Sequence, residues 1–188
     1  MAESQPFKRL SYFTGQLLTA ESFKLEQEYF REKQKLHNRS LHGFGIISGL
    51  KVMVESGQIV IEPGLALDCE GNELVVSTTV IVSPPTGDSH SGYVQVSFAE
   101  KFTDPVPAVP EPQSADSPAN NPSDLNQPAT ITEGCEIFLA PENSNRGHRH
   151  LRGRWLACAQ PHALTIAKLK QSGQGWHVER GYRPPRIK

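Results

Sequence analysis

The stretch LHNRSLHGFGIISGLKV, Leu36 to Val52, is where a helical pattern stops and a strand pattern begins. It sets two histidines, an asparagine and an arginine at that boundary, so it reads either as a chemical site or as a corner in the fold. His37 and His42 lie five residues apart. At about 100° per residue of a regular α-helix they point roughly 140° away from each other, whereas metal-binding helix histidines sit at i and i+4. Asn38 and His42 share a face, but asparagine is a poor ligand for soft metals, and no HExxH pattern or cysteine pair stands nearby. The expectation is therefore a structural junction. His37, Asn38, Arg39 and His42 would satisfy the orphan carbonyls of a helix end, with Gly43 closing it as the C′ residue. Gly45 and Gly49 would serve the backbone geometry of the segment that follows.

Upstream, Thr19 to Leu41 has a helical pattern, which predicts a helix over residues 19–42. Thr19 is the N-cap with Glu21 in the first turn, and Phe23, Leu25, Tyr29, Phe30 and Leu36 recur at spacings of four and seven. The remaining face, with Lys24, Glu28, Arg31, Glu32 and Lys35, is mixed in sign and reads as solvated. Residues 1–18 form a separate apolar arm carrying Phe7, Leu10, Tyr12, Phe13, Leu17 and Leu18, with a glycine turn at Gly15. Such an arm must be covered, either by its own domain or by a neighbouring subunit.

Downstream of Gly45 the period falls to two. LKVMV, QIVIEPG, LALDC, ELVV, TVIVS and YVQVSF are strand candidates, separated by turn residues such as ESGQ at Glu55 to Gln58 and EGN at Glu70 to Asn72. In YVQVSF, Val94, Val96 and Phe98 share one face while Tyr93, Gln95 and Ser97 share the other. Strands this close together cannot be parallel crossovers. The expected class is mainly β: an antiparallel β-sandwich or barrel-like domain over residues 19–188, with one N-terminal α-helix and a long Pro-rich insertion.

That insertion is Thr103 to Gly134, which holds seven of the fifteen prolines of the chain and few large apolar residues. It is expected to form no sheet or helix of its own, and to act as a docking loop through Pro105, Val106, Pro107, Val109 and Pro110. Strand patterns resume with CEIFLA, WLACA, LTIAKLK and GWHVE, the last two joined by QSGQG.

With 188 residues the chain is large enough for one domain with a core of its own. A net charge of -1 gives no global support for phosphate binding, which argues against a nucleic-acid partner. Three scattered cysteines, the absence of an apolar h-region and the absence of any run long enough to span a membrane lead to the expectation of a cytoplasmic protein. Arg146, Arg149, Arg152 and Arg154, joined by Arg183 and Arg186 of the tail, predict a local basic patch that could meet an anionic membrane. No nucleophile motif is present, and no cofactor is expected. An alternative reading is a metal-binding hydrolase or binding module, in which His148, His150, Cys158 and His162 have spacings compatible with zinc.

The residues also carry a resemblance. Phe13, Gly15 and Leu18, then Glu26, Gln27 and Tyr29, Leu36 to Arg39, Leu41 to Gly43, Gly45, Gly49 and Leu50, and finally Pro63, Gly64, Ala66, Asp68, Gly71 and Glu73 follow one pattern. That pattern resembles a family of small proteins encoded with phage-tail-like contractile injection systems. TDPVP and ITEGCEI extend the similarity over most of the chain, and it is weakest over residues 145–154 and the C-terminus. The resemblance implies a non-enzymatic assembly component at or around the baseplate, or an adaptor between baseplate and membrane. Its partners would be other injection-system proteins and further copies of itself.

Overall fold

A computed structural model describes residues 7–85, 90–107, 126–147 and 163–187. Helix α1 spans Ala20–His37 and runs on into a π-helical turn, Asn38–His42. Ten strands follow among the described residues: β1 Gly45–Gly49, β2 Val52–Glu55, β3 Gln58–Ile61, β4 Gly64–Leu67, β5 Glu73–Val76, β6 Val80–Val82, β7 Ser91–Pro107, β8 Asn126–Ala140, β9 Leu164–Ser172 and β10 Gly175–Val178. The order β1-β4-β5 makes one sheet, β2-β3-β6 a second and β10-β9-β7-β8 a third. Every pairing between named strands is antiparallel. The fold is thus mainly β with one leading helix, in a sandwich-like arrangement.

Helix α1 begins where its capping chemistry says it should. The Thr19 hydroxyl accepts from the Ser22 amide and the Ser22 hydroxyl accepts from the Thr19 amide, a capping box that satisfies two donors with no intrahelical partner. Hairpin turns account for the short spacings. Ser56 and Gly57 link β2 to β3, both at positive φ (49° and 78°), as a two-residue turn with the twist of its strands demands.

The core draws on all three sheets. Ile46, Ala66, Leu74 and Val76 come from the first, Ile59 and Ile61 from the second, and Val94, Val96, Leu164, Ile166 and Leu169 from the third. Alternation in β7 holds on its inner face, where Val94 and Val96 are buried and Phe98 packs against the same core. Its other face is covered too. Tyr93 meets the Tyr182 ring at 6.1 Å, and the Gln95 amide donates to the Glu142 carbonyl at 2.7 Å. A polar alternate residue on a strand can therefore be buried if a neighbouring segment supplies its hydrogen bond.

The segment expected to lack structure differs from that expectation at both ends. β7 continues to Pro107 and β8 begins at Asn126, with Phe102 opposite Ile131 and Pro105 opposite Pro128. Proline is tolerated because β8 is an edge strand, and Pro105 and Pro128 oppose one another where neither needs to donate. Asp104 takes a positive φ of 53°, and its carboxylate accepts from the hydroxyls of Thr103 and Thr130, which clamps the two strands at that irregular point. Residues 108–125, including Val109 and Pro110, lie outside the described residues, as does WLACA.

Candidate interaction site

Three features of the chain meet at the end of helix α1: the LHNR segment, the Asp68–Asn72 turn between β4 and β5, and the root of the β7–β8 ribbon. Asn38 is only 5 % exposed, and its side-chain amide donates to the Gly71 carbonyl at 3.0 Å and to Glu73 Oε1 at 3.4 Å. Gln34 Nε2 donates to the same Glu73 oxygen at 3.4 Å, and Arg39 Nη1 to the Glu70 carbonyl at 3.3 Å. Arg31 reaches the ribbon, pairing with Glu100 at 2.9 Å. Glu100 faces Glu133 across the strands, so this guanidinium offsets a like-charge pair.

The turn is itself preorganised. Asp68 Oδ1 accepts from the amides of Glu70 and Asn72, both at 2.9 Å, and Asp68 Oδ2 accepts from the Asn72 side chain at 2.8 Å. Gly71 sits at φ +91° against the helix backbone, where an added Cβ would lie 2.2 Å from the Lys35 carbonyl oxygen. Two sequence motifs separated by some thirty residues are therefore halves of one joint. A cavity of about 180 Å³ opens beside it, lined in part by Arg31, Gln34, Glu73, Phe98 and Glu133.

Each sequence-predicted residue has a place in or outside this geometry. Asn38 and Arg39 bond to the neighbouring turn, where the expectation was that they would satisfy carbonyls of their own helix. The helix ends by another route: the Gly43 amide donates to the Asn38 carbonyl at 3.1 Å, a bond five residues back that defines the π turn. That turn corrects the geometry expected for the histidines. The wider π turn brings the His37 and His42 rings together, with centroids 5.3 Å apart. Gly49 is needed for close approach, since a Cβ there would meet the Pro63 carbonyl oxygen at 2.0 Å. Gly45 starts β1 against the tail, where the Ile46 amide donates to the Pro185 carbonyl at 2.9 Å and the Ile187 amide to the Ile46 carbonyl at 3.0 Å.

The apolar positions of the helix and arm are only partly covered. No residue of α1 is buried, and Phe23 and Phe30 are 52 % and 63 % exposed. The arm runs back along the helix instead. Phe7 packs edge-on against Tyr29 at 6.3 Å, Lys33 lies over the Phe7 ring, and the Tyr12 hydroxyl donates to Glu26 at 2.6 Å. Leu10 is half-buried and Leu18 exposed, while Phe13 and Leu17, at 70 % and 84 % exposed, face solvent. The ribbon adds a second apolar surface. Phe102 and Ile131, an opposed pair, are 66 % and 51 % exposed, with Pro105, Val106 and Pro107 also exposed beyond them.

Of the basic residues, Arg146 lies in a short 3-10 turn, Ser144–Gly147, and Arg183 and Arg186 are exposed on the tail strap. Arg183 donates to the Arg180 and Tyr182 carbonyls. Arg149, Arg152 and Arg154 lie outside the described residues, as do His148, His150, Cys158 and His162. Among the described residues no group of three or more His, Cys, Asp or Glu side chains converges on a metal position, and no helix is long and apolar enough to cross a membrane.

By sequence, the chain matches no protein-family model and no curated protein. Its fold does have relatives. It superposes on a chain of the baseplate complex from the type VI secretion system with a TM-score of 0.55 at 10 % identity, over 97 % of this chain and 42 % of that one. A chain of the TssK-TssF-TssG baseplate subcomplex gives 0.54 at 10 % identity, over 96 % of this chain and 62 % of that one. The crystal structure of TssK gives 0.54 at 10 % identity, over 96 % and 42 %. This chain therefore shares its fold with chains of type VI secretion baseplate structures, and spans less than two thirds of their length.

Proposed function

We propose that this chain is a structural component of a contractile injection particle, built in at or around the baseplate, and that it acts through protein–protein contacts without catalysis. The observation that carries the reading is the pairing of a baseplate-type fold over nearly the whole chain with two exposed apolar projections, the α1 face and the β7–β8 ribbon. A two-stranded ribbon is marginal in water when nothing covers it, so a ribbon that extends past its own sheet is a surface for another chain. The N-terminal arm, through Phe13, Leu17 and the aromatic face of α1, would meet neighbouring subunits, either other baseplate proteins or further copies. In the finer reading the chain joins baseplate to membrane, with Arg183 and Arg186 contributing to an anionic-lipid contact.

The test is co-expression of the chain with the sheath and baseplate proteins of a contractile injection system, followed by purification of assembled particles. Deleting residues 7–18 or 103–134 is expected to abolish incorporation while the β domain keeps its cooperative unfolding. Normal incorporation of both deletion variants would overturn the proposal. Co-sedimentation with anionic vesicles, lost on replacing Arg183 and Arg186 by glutamate, separates the adaptor reading from a purely internal position.

A further inference from the structure

The π turn gives the two junction histidines a property that a regular helix would deny them. Their ring centroids stand 5.3 Å apart with planes tilted by 58°. Two imidazoles bound to one tetrahedral zinc, each nitrogen ~2.0 Å from the metal, place their centroids roughly 5 Å apart. Both residues are exposed, and neither ring makes a side-chain hydrogen bond or ion pair with another described residue. Ring nitrogens are therefore free to coordinate.

The backbone beneath them is fixed, which matters because a chelate gains from preorganisation. Asn38, next to His37, is buried and held by Gly71. Arg39 is held by the Glu70 carbonyl, and the Gly43 amide, next to His42, closes on Asn38. We infer that His37 and His42 form a two-imidazole chelate for a divalent cation of the zinc, nickel or copper(II) type, with water in the remaining coordination positions. Imidazole suits these ions, while calcium and magnesium require oxygen ligands.

The experiment uses the full chain freed of any polyhistidine tag and titrated with ZnCl2 or NiCl2 in a non-chelating buffer. One equivalent is expected to bind at pH 7.5, and His37→Ala or His42→Ala should each weaken it at least tenfold without moving the unfolding midpoint, since both side chains are exposed. The control is His148→Ala with His150→Ala, which should leave binding unchanged. If binding is lost in that control, or survives in both junction variants, or is absent in the wild type, the inference is overturned. Should a junction variant misfold, nickel broadening of assigned amide and imidazole resonances in the wild-type chain gives the same decision. Signals of residues 37 and 42 should broaden first, and broadening centred elsewhere would overturn the inference.

Discussion

The side chain of Asn38 donates to the carbonyl of Gly71 at 3.0 Å, and this bond joins the last turn of the leading helix to the hairpin that opens the second half of the first sheet. With no residue of α1 buried, the orientation of the helix depends on this joint and on the few polar contacts around it.

Removing the amide should therefore cost more than an exposed asparagine would. Asn38→Ala leaves the Gly71 carbonyl without that donor in a buried setting, a loss of ~1–3 kcal/mol. Urea unfolding would show a lower midpoint. The amide of residue 71 and the helix amides of residues 34 to 38 should exchange faster with solvent.

Gly71→Ala tests the same joint from the other side. The new methyl would fall 2.2 Å from the Lys35 carbonyl oxygen, whereas Gly57, with a similar φ of 78°, has open space around it. Both alanines carry the backbone cost of ~1–2 kcal/mol expected for positive φ, so a larger loss at position 71 measures the steric clash. Equal midpoints for the two variants would mean that helix and turn are not in contact in solution.

Acid should weaken the tail. Glu179 pairs with Lys168 at 2.7 Å and with Lys170 at 2.8 Å, and their hydrogen bonds, Lys168 first, hold its carboxyl below the ordinary glutamate value. A depressed carboxylate contributes stability above the unfolded-state pKa and loses it as the pH falls through the native one. Glu179→Gln should thus be less stable than wild type at pH 7, and the difference should close below about pH 4. Added salt should narrow the gap, because both partners are partly exposed. Thermal melts across pH 3 to 7 check this.

Surface aromatics should separate folding from assembly. Phe30→Ser and Phe102→Ser remove exposed side chains, so each should shift stability within about 0.5 kcal/mol. Particle incorporation, or co-purification with a baseplate partner, should fall sharply in both.

Much of this architecture was legible in the sequence for identifiable reasons. Period-two runs located β2 to β6 and the inner part of β7, because alternating Val and Ile must bury one face. Thr19 located the helix start through its cap. The Asp68 to Asn72 turn was readable as turn chemistry, but its partner was not, since no local pattern tells Asn38 that its acceptor lies at Gly71. The π turn was hidden for a related reason: propensity carries no signal for the bond that runs from Gly43 five residues back to Asn38. The outer ribbon was missed because proline content was read as loss of pairing, whereas edge proline costs nothing when its absent donor faces away from the ladder. The exposed helix face was missed because apolar spacing reports that a face will be covered, without saying by which molecule.

The tail strap has a consequence for synthesis. Strand β1 pairs with β4 on one side, and on the other its Ile46 is bonded to Pro185 and Ile187. A ribosome delivers Ile46 early and Ile187 only after almost all the rest of the domain. During that interval the outer edge of β1 is an open template for stray strands. Adding the strap closes this edge, so a translation product stopped before Pro185 should aggregate where a chain that includes the strap does not.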